Sequence, residues 1–200
     1  MNRVPLFLLV GKSASGKSTL ANLLEVRLGL RQLQSYTTRA PRFEGESGHT
    51  FISNAEFDAL TDVVAYTEYN GNRYCTTKEQ LDNSDIYVID VDGVDYLFRK
   101  YNTDRKIIVV YFDTSILTRI KRMRHRGDSD SQIISRILND EEFDWYEELD
   151  KLVNLWECPK IKDIELVKFN ADHFSAEDIY ECVENIIKEL GVILWLLLQT

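Results

Sequence analysis

The segment Gly11-Lys12-Ser13-Ala14-Ser15-Gly16-Lys17-Ser18 constrains this chain more than any other. It spells G-x-x-x-x-G-K-S, and its flanks supply the context that spelling needs. Before it runs Val4-Pro5-Leu6-Phe7-Leu8-Leu9-Val10, an apolar run of buried-strand length. After it, Leu20, Leu23, Leu24 and Leu28 fall at helical spacing. Strand, glycine-rich turn and helix together make a phosphate-binding loop. The glycines let backbone N–H groups turn inward around an anion, and the helix aims its positive end at the same point. Lys17 would reach the outer phosphates, and the Ser18 hydroxyl would ligate Mg²⁺. The bland alternative is an ordinary turn, and the strand-and-helix context weighs against it.

A chain of 200 residues, 44% hydrophobic, suits one domain, or one core with a small inserted lobe. A net charge of −9 argues against nucleic acid as a partner, because a phosphate backbone needs a basic face. Cys75, Cys158 and Cys182 are scattered, with no metal spacing, which fits reduced thiols in a cytoplasmic protein. Cys75 reads as packing, not as a nucleophile. No signal peptide is visible before the first strand. The apolar run Val192–Leu198 is far too short to span a bilayer, so no membrane partner is expected. The sequence leaves oligomeric state open.

Strand-type runs recur at Val4–Val10, Val63–Thr67, Ile86–Ile89, Ile107–Phe112 and Ile164–Phe169. Helical patterns alternate with them: Leu20–Leu28, Asn54–Leu60, Val94–Tyr101, Ser115–Arg126, Gln132–Leu155 and Ala176–Leu190. Ser53 or Asn54, Thr77 and Ser175 are expected helix caps. The alternation predicts an α/β, three-layer P-loop fold with a largely parallel central sheet. Such sheets bind ligands beyond the carboxyl ends of their strands. Asp90-Val91-Asp92-Gly93 follows one such strand. Asp90 there would steady Mg²⁺, while Asp92 reads equally as a ligand contact or as turn chemistry. For Asp113, before Ser115, a capping role is preferred.

Basic residues concentrate at Arg119–Arg136, where Arg119, Arg122 and Arg126 share a helical face before Gly127. An arginine helix, a turn and a second helix predict a lid over a triphosphate, since guanidinium forks pair with phosphate oxygens. Arg122, Arg126 and Arg136 are assigned to it. Arg119, Lys121 and Arg124 read instead as a solvated face paired with the acidic run Asp140–Asp150. A second basic pair, Arg39 and Arg42, lies in Ser35-Tyr36-Thr37-Thr38-Arg39-Ala40-Pro41-Arg42, an anion clamp. Asn70-Gly71 predicts a tight hairpin turn flanked by Tyr and Thr hydroxyls.

In chain order, G-K-S-A-S-G-K-S-T, S-Y-T-T-R-A-P-R, N-G-N-R-Y-C-T-T, I-D-V-D-G and R-M-R-H-R-G-D resemble the guanylate kinase family of nucleoside monophosphate kinases. The likeness spans roughly Val4 to Asn170. It implies ATP-dependent phosphorylation of a nucleoside monophosphate, GMP first, with Mg²⁺. It implies a core (1–34, 77–118, 137–200), an acceptor-binding lobe (35–76) and a lid (119–136). By resemblance, Gly11, Lys12, Ser13, Ala14, Ser15, Gly16, Lys17, Ser18 and Thr19 would hold ATP, with Asn170 at the adenine. Ser35, Arg39, Arg42, Tyr74, Thr76 and Asp92 would hold the acceptor, with His49 standing where the family has a tyrosine. Lys17, Arg39, Arg122, Arg126 and Arg136 would act on the transferring group, and Ser18 and Asp90 on the metal. One departure matters: the family's guanine-reading glutamate falls on Ala65. Two other outcomes therefore stay open. One is a different phosphorylated acceptor, another nucleotide or a ribose phosphate. The other is a binding module without catalysis, which the intact Lys17 and Ser18 disfavour.

Overall fold

The structure, a computed structural model, describes residues 4–42, 44–141 and 163–190. In chain order its strands are β1 (Leu6–Gly11), β2 (Ser35–Thr37), β3 (His49–Phe51), β4 (Val63–Tyr69), β5 (Asn72–Thr77), β6 (Ile86–Val88), β7 (Ile107–Asp113) and β8 (Ile164–Asn170). Its helices are α1 (Lys17–Leu28), α2 (Asn54–Asp58), α3 (Lys78–Asp82), α4 (Val91–Lys100), α5 (Ile116–Arg126), α6 (Asp130–Glu141) and α7 (Ala176–Glu189). The central sheet runs β6-β1-β7-β8, parallel throughout.

The apolar run of β1 has two destinations. Leu6, Leu8 and Val10 pack with Val94, Leu97 and Phe98 of α4, and Phe7 and Leu9 pack with Leu20 and Leu24 of α1 and Val183 and Ile187 of α7. Burial on both faces is why this strand is continuously apolar instead of alternating. Each such side chain contributes about 1.5–3 kcal/mol. At the sheet's amino end, the buried Arg105 pairs with Asp85 at 2.8 Å and donates to the carbonyls of Val4, Ser84 and Pro5 at 2.5, 2.6 and 3.1 Å.

A second sheet, β3-β2-β5-β4, mixes one parallel pair with antiparallel ones. Asn70 and Gly71 both take positive φ (50° and 69°), as a two-residue hairpin of this kind requires. Val63–Thr67 therefore belongs to this antiparallel lobe and not to the parallel sheet. Its cross-strand partners decide that: Ala65, Tyr66 and Thr67 stand opposite Thr76, Cys75 and Tyr74 of β5. Ser53, Thr77 and Ser175 each form the expected capping box, and Ser115, not Asp113, caps α5. Of the helix expected over Gln132–Leu155, α6 covers the start; the remainder, Cys158 and Val192–Leu198 lie outside the described residues. Among the described residues no helix is long and apolar enough to cross a membrane.

Candidate active site

The phosphate loop leaves β1 at Gly11 and enters α1 at Lys17. A Cβ at Gly11 would meet Ser15 Oγ at 2.8 Å and the Phe112 carbonyl at 2.9 Å, so only glycine fits there. Gly16 takes φ +116°, and Ala14, a non-glycine, takes φ 60°. Backbone strain of that kind collects where a loop is shaped for a ligand. Lys17 Nζ donates to the carbonyls of Gly11 and, at 2.8 Å, Lys12. Burial lowers its pKa to about 8, the Asp140 charge acting in the opposite sense.

Residues Ala14 to Thr19 form one wall of an open cleft of about 400 Å³, faced by Arg122, Arg126, Phe174 and Ile179. Arg122 donates to the Ser15 carbonyl (2.8 Å) and the Ala171 carbonyl (2.7 Å), clasping the loop to the end of β8. Arg126 forks onto Asp128, and Arg136 Nε lies 3.5 Å from the same carboxylate. Asn170 does not line this cleft. Its Oδ1 accepts from the Asp172 amide at 3.0 Å and shapes the turn that presents Ala171 and Phe174 instead.

The lobe gathers the second set. Arg39 forks onto Glu46 at 2.8 and 3.1 Å, and Arg42 reaches the same carboxylate at 3.4 Å. Burial opposes the charge on Glu46, but hydrogen bonds from Arg39 and from the Arg42 amide hold it below the usual carboxylate range. Arg39 Nε is buried without a hydrogen-bond partner. A buried donor on a cation, left unmatched, suits an anion. Ser35 Oγ lies 2.9 Å from His49 Nδ1, and the His49 ring packs on Tyr74 at 5.6 Å. Burial, then the Arg39 charge, push the imidazole down to about 4, so His49 is neutral near pH 7. Thr76 is fully buried and donates to Gln80 at 3.0 Å, inside the lobe rather than on an open face.

Beside the phosphate loop lies a small cavity of about 60 Å³ lined by Lys12, Thr67, Tyr69, Asp90, Asp92 and Asp140. Asp90 accepts from the Gly93 amide at 2.7 Å, so it caps α4 as well as facing this cavity. Burial raises its carboxyl above the usual range. Ala65 is fully buried in an apolar cluster with Val64, Tyr87 and Ile89. Glu68, three residues further along β4, accepts from the Tyr66 hydroxyl. Burial pushes the Cys75 thiol up to about 12, in keeping with packing.

Arg119 corrects the sequence reading. It is 1% exposed rather than solvated, although its partner is Asp140, the first residue of the expected acidic run. The helical spacing of Arg119 and the buried Met123 was the available signal. Glu46 and Phe174 were missed as well. Glu46 lies in a segment that reads only as a loop, and Phe174 follows a strand end where Asn170 is the more obvious polar candidate.

No family model matches the chain. A guanylate kinase of Cupriavidus metallidurans is 30% identical over 145 residues, 66% of this chain and 66% of that protein, so the match spans just under two thirds of that relative's length. A guanylate kinase of Fusobacterium nucleatum is 28% identical over 162 residues, 74% of this chain and 86% of that protein. Among solved structures, guanylate kinase from Anaplasma phagocytophilum shares the fold with a TM-score of 0.53 at 19% identity, covering 94% of this chain and 87% of that one.

Proposed function

We propose that this chain, which belongs to the guanylate kinase family, transfers the γ-phosphoryl group of ATP to GMP, giving ADP and GDP. The observation that carries the reading is the cleft in which Ala14–Thr19 of the phosphate loop face Arg122 and Arg126, in a chain whose lobe holds a second, buried cationic clamp with the unmatched Arg39 Nε. One anion site for a donor and another for an acceptor are what a two-substrate kinase needs. Phosphoryl transfer asks for in-line positioning and neutralised charge more than covalent chemistry.

In this reading residues 35–76 are the acceptor lobe, 119–136 the lid and the rest the core. ATP lies in the Ala14–Thr19 cleft, with its adenine toward Phe174 and its outer phosphates at Lys17. Arg39, Arg42, Tyr74 and neutral His49 take the acceptor phosphate, the unmatched Arg39 Nε being a ready donor. Arg122 and Arg126 line the donor cleft to meet charge that spreads over the γ-phosphoryl oxygens. Asp92, exposed in the first turn of α4, lines the small cavity with Thr67 and Tyr69 and would meet the acceptor there.

Among the described residues no cluster of three His, Cys, Asp or Glu side chains could hold an ion unaided. Exposed Ser18 and the Asp90 carboxylate do fit Mg²⁺ that arrives on ATP, keeps several waters and is bound mainly by phosphates. When bound, that ion offsets phosphate charge as the bond breaks. Free thiols at Cys75 and Cys182 fit a reducing compartment, the cytoplasm.

One observation favours a second reading, an acceptor other than GMP. At Ala65 the lobe offers methyl-sized apolar packing and no carboxylate for a guanine edge. Steady-state assays with ATP and GMP, AMP, CMP, UMP, dTMP or ribose phosphates separate the two. GMP turned over with the highest kcat/KM supports the first reading. A flat profile, or preference for another acceptor, contradicts it.

A further inference from the structure

Asp140 on α6 is 8% exposed and joins three parts of the molecule. Its Oδ2 accepts from the Ser13 amide at 2.9 Å, and its Oδ1 accepts from the Ser13 hydroxyl at 3.3 Å. The same Oδ1 accepts from the Tyr69 hydroxyl at 3.2 Å, on the last residue of β4. The guanidinium of Arg119 donates to Oδ2 and, through Nε, to the Ser13 carbonyl at 3.0 Å. Both charges are buried, and such a pair persists only where its remaining lone pairs and protons are matched, as they are here. The β4–β5 hairpin that turns just after Tyr69 also carries Tyr74, opposite Thr67. Fixing Tyr69 therefore fixes how far the acceptor clamp stands from Lys17.

We propose that Asp140, held by Arg119, is a positioning residue that latches the acceptor lobe to the phosphate loop through Tyr69 and Ser13. The latch rests on the two-substrate reading above. Neither Asp140 nor Tyr69 needs to touch the reacting atoms. The latch keeps Ser13, at the head of the loop, and the hairpin in one register, so both phosphates meet along one line. Removing the Tyr69 hydroxyl loosens the turn end of the hairpin, whose base stays packed on the core through Val64 and Ala65, and leaves Asp140 on Arg119 and Ser13. Removing the Asp140 charge disturbs both sides.

The test compares wild type, Tyr69→Phe and Asp140→Asn by calorimetric binding of GMP and of a non-hydrolysable ATP analogue with Mg²⁺, with hydrogen exchange over residues 63–77. A hydrogen bond to a charged group is worth about tenfold or more in the equilibrium it holds, here the seating of the hairpin that GMP binding needs. Tyr69→Phe is expected to weaken GMP about tenfold, leave the ATP analogue within twofold, speed hairpin exchange and lower Tm by a few degrees. Asp140→Asn is expected to weaken both ligands. A Tyr69→Phe variant with GMP affinity within twofold of wild type, or with both ligands weakened equally, overturns the latch. If wild type does not bind GMP, the proposed function fails separately, and hairpin exchange decides: faster exchange in Tyr69→Phe upholds the latch, unchanged exchange overturns it.

Discussion

Raising pH should weaken ATP binding in a way traceable to one side chain. Burial lowers the Lys17 pKa from 10.5 to about 8, with Asp140 and Asp90 opposing that fall and Arg119 and Arg136 adding to it. ATP phosphates beside the ammonium would restore an ordinary lysine pKa, so binding takes up a proton. From pH 7 to pH 9 the charged fraction of Lys17 falls from about nine-tenths to about one-tenth, and the ATP Kd should rise about tenfold, about 1.4 kcal/mol. At pH 8 binding should take up about half a proton, seen as a calorimetric enthalpy that varies with buffer ionisation enthalpy. Stability moves in step. The folded chain holds this proton more weakly than the unfolded chain, so stability rises as pH climbs from about 8 to 10.5. Charged Lys17 thus costs the fold up to about 3 kcal/mol at pH 7, and Lys17→Met should stabilise the protein while abolishing turnover. An ATP Kd unchanged between pH 7 and 9, with no proton uptake at pH 8, would refute this account of the loop.

Arg39→Ala removes the buried guanidinium that joins Glu46 and faces the acceptor. GMP KM should rise at least tenfold with ATP Kd within about twofold; an equal loss for ATP would move Arg39 to the donor side. Arg105→Ala leaves Asp85 with only the exposed Arg31 (3.1 Å) as a charged partner among the described residues and takes a donor from the carbonyls of Val4, Ser84 and Pro5, at the far end of the sheet from the loop. It should cost about 2–4 kcal/mol in urea unfolding and leave KM values of the folded enzyme unchanged; a loss under about 1 kcal/mol would show that water reaches that site.

The features legible in the sequence were those whose chemistry is local. The phosphate loop, the Asn70-Gly71 turn and the Ser53, Thr77 and Ser175 caps each need only residues within a few positions of one another. Arg39 and Arg42 stood out as a pair, yet Glu46, which neutralises them, did not, because a loop carboxylate carries no periodic signal. Arg119 shows the stronger limit. Its spacing with Met123 marks an inward face, but an arginine among so many basic neighbours reads as solvated until α5 is packed against Ser13 and Asp140. Val63–Thr67 had the composition of a core strand but pairs in the lobe, since its register is set by the hairpin turn, not by its own residues.

The central claim is transfer between two bound substrates across Lys17. Incubation with γ-labelled ATP, Mg²⁺ and GMP, followed by separation of the products, tests it most directly. Label in the β-phosphate of GDP, absent with Lys17→Ala folded to the same Tm or higher, is the expected result. Label only in free phosphate, or GDP labelling that persists in Lys17→Ala, would contradict it.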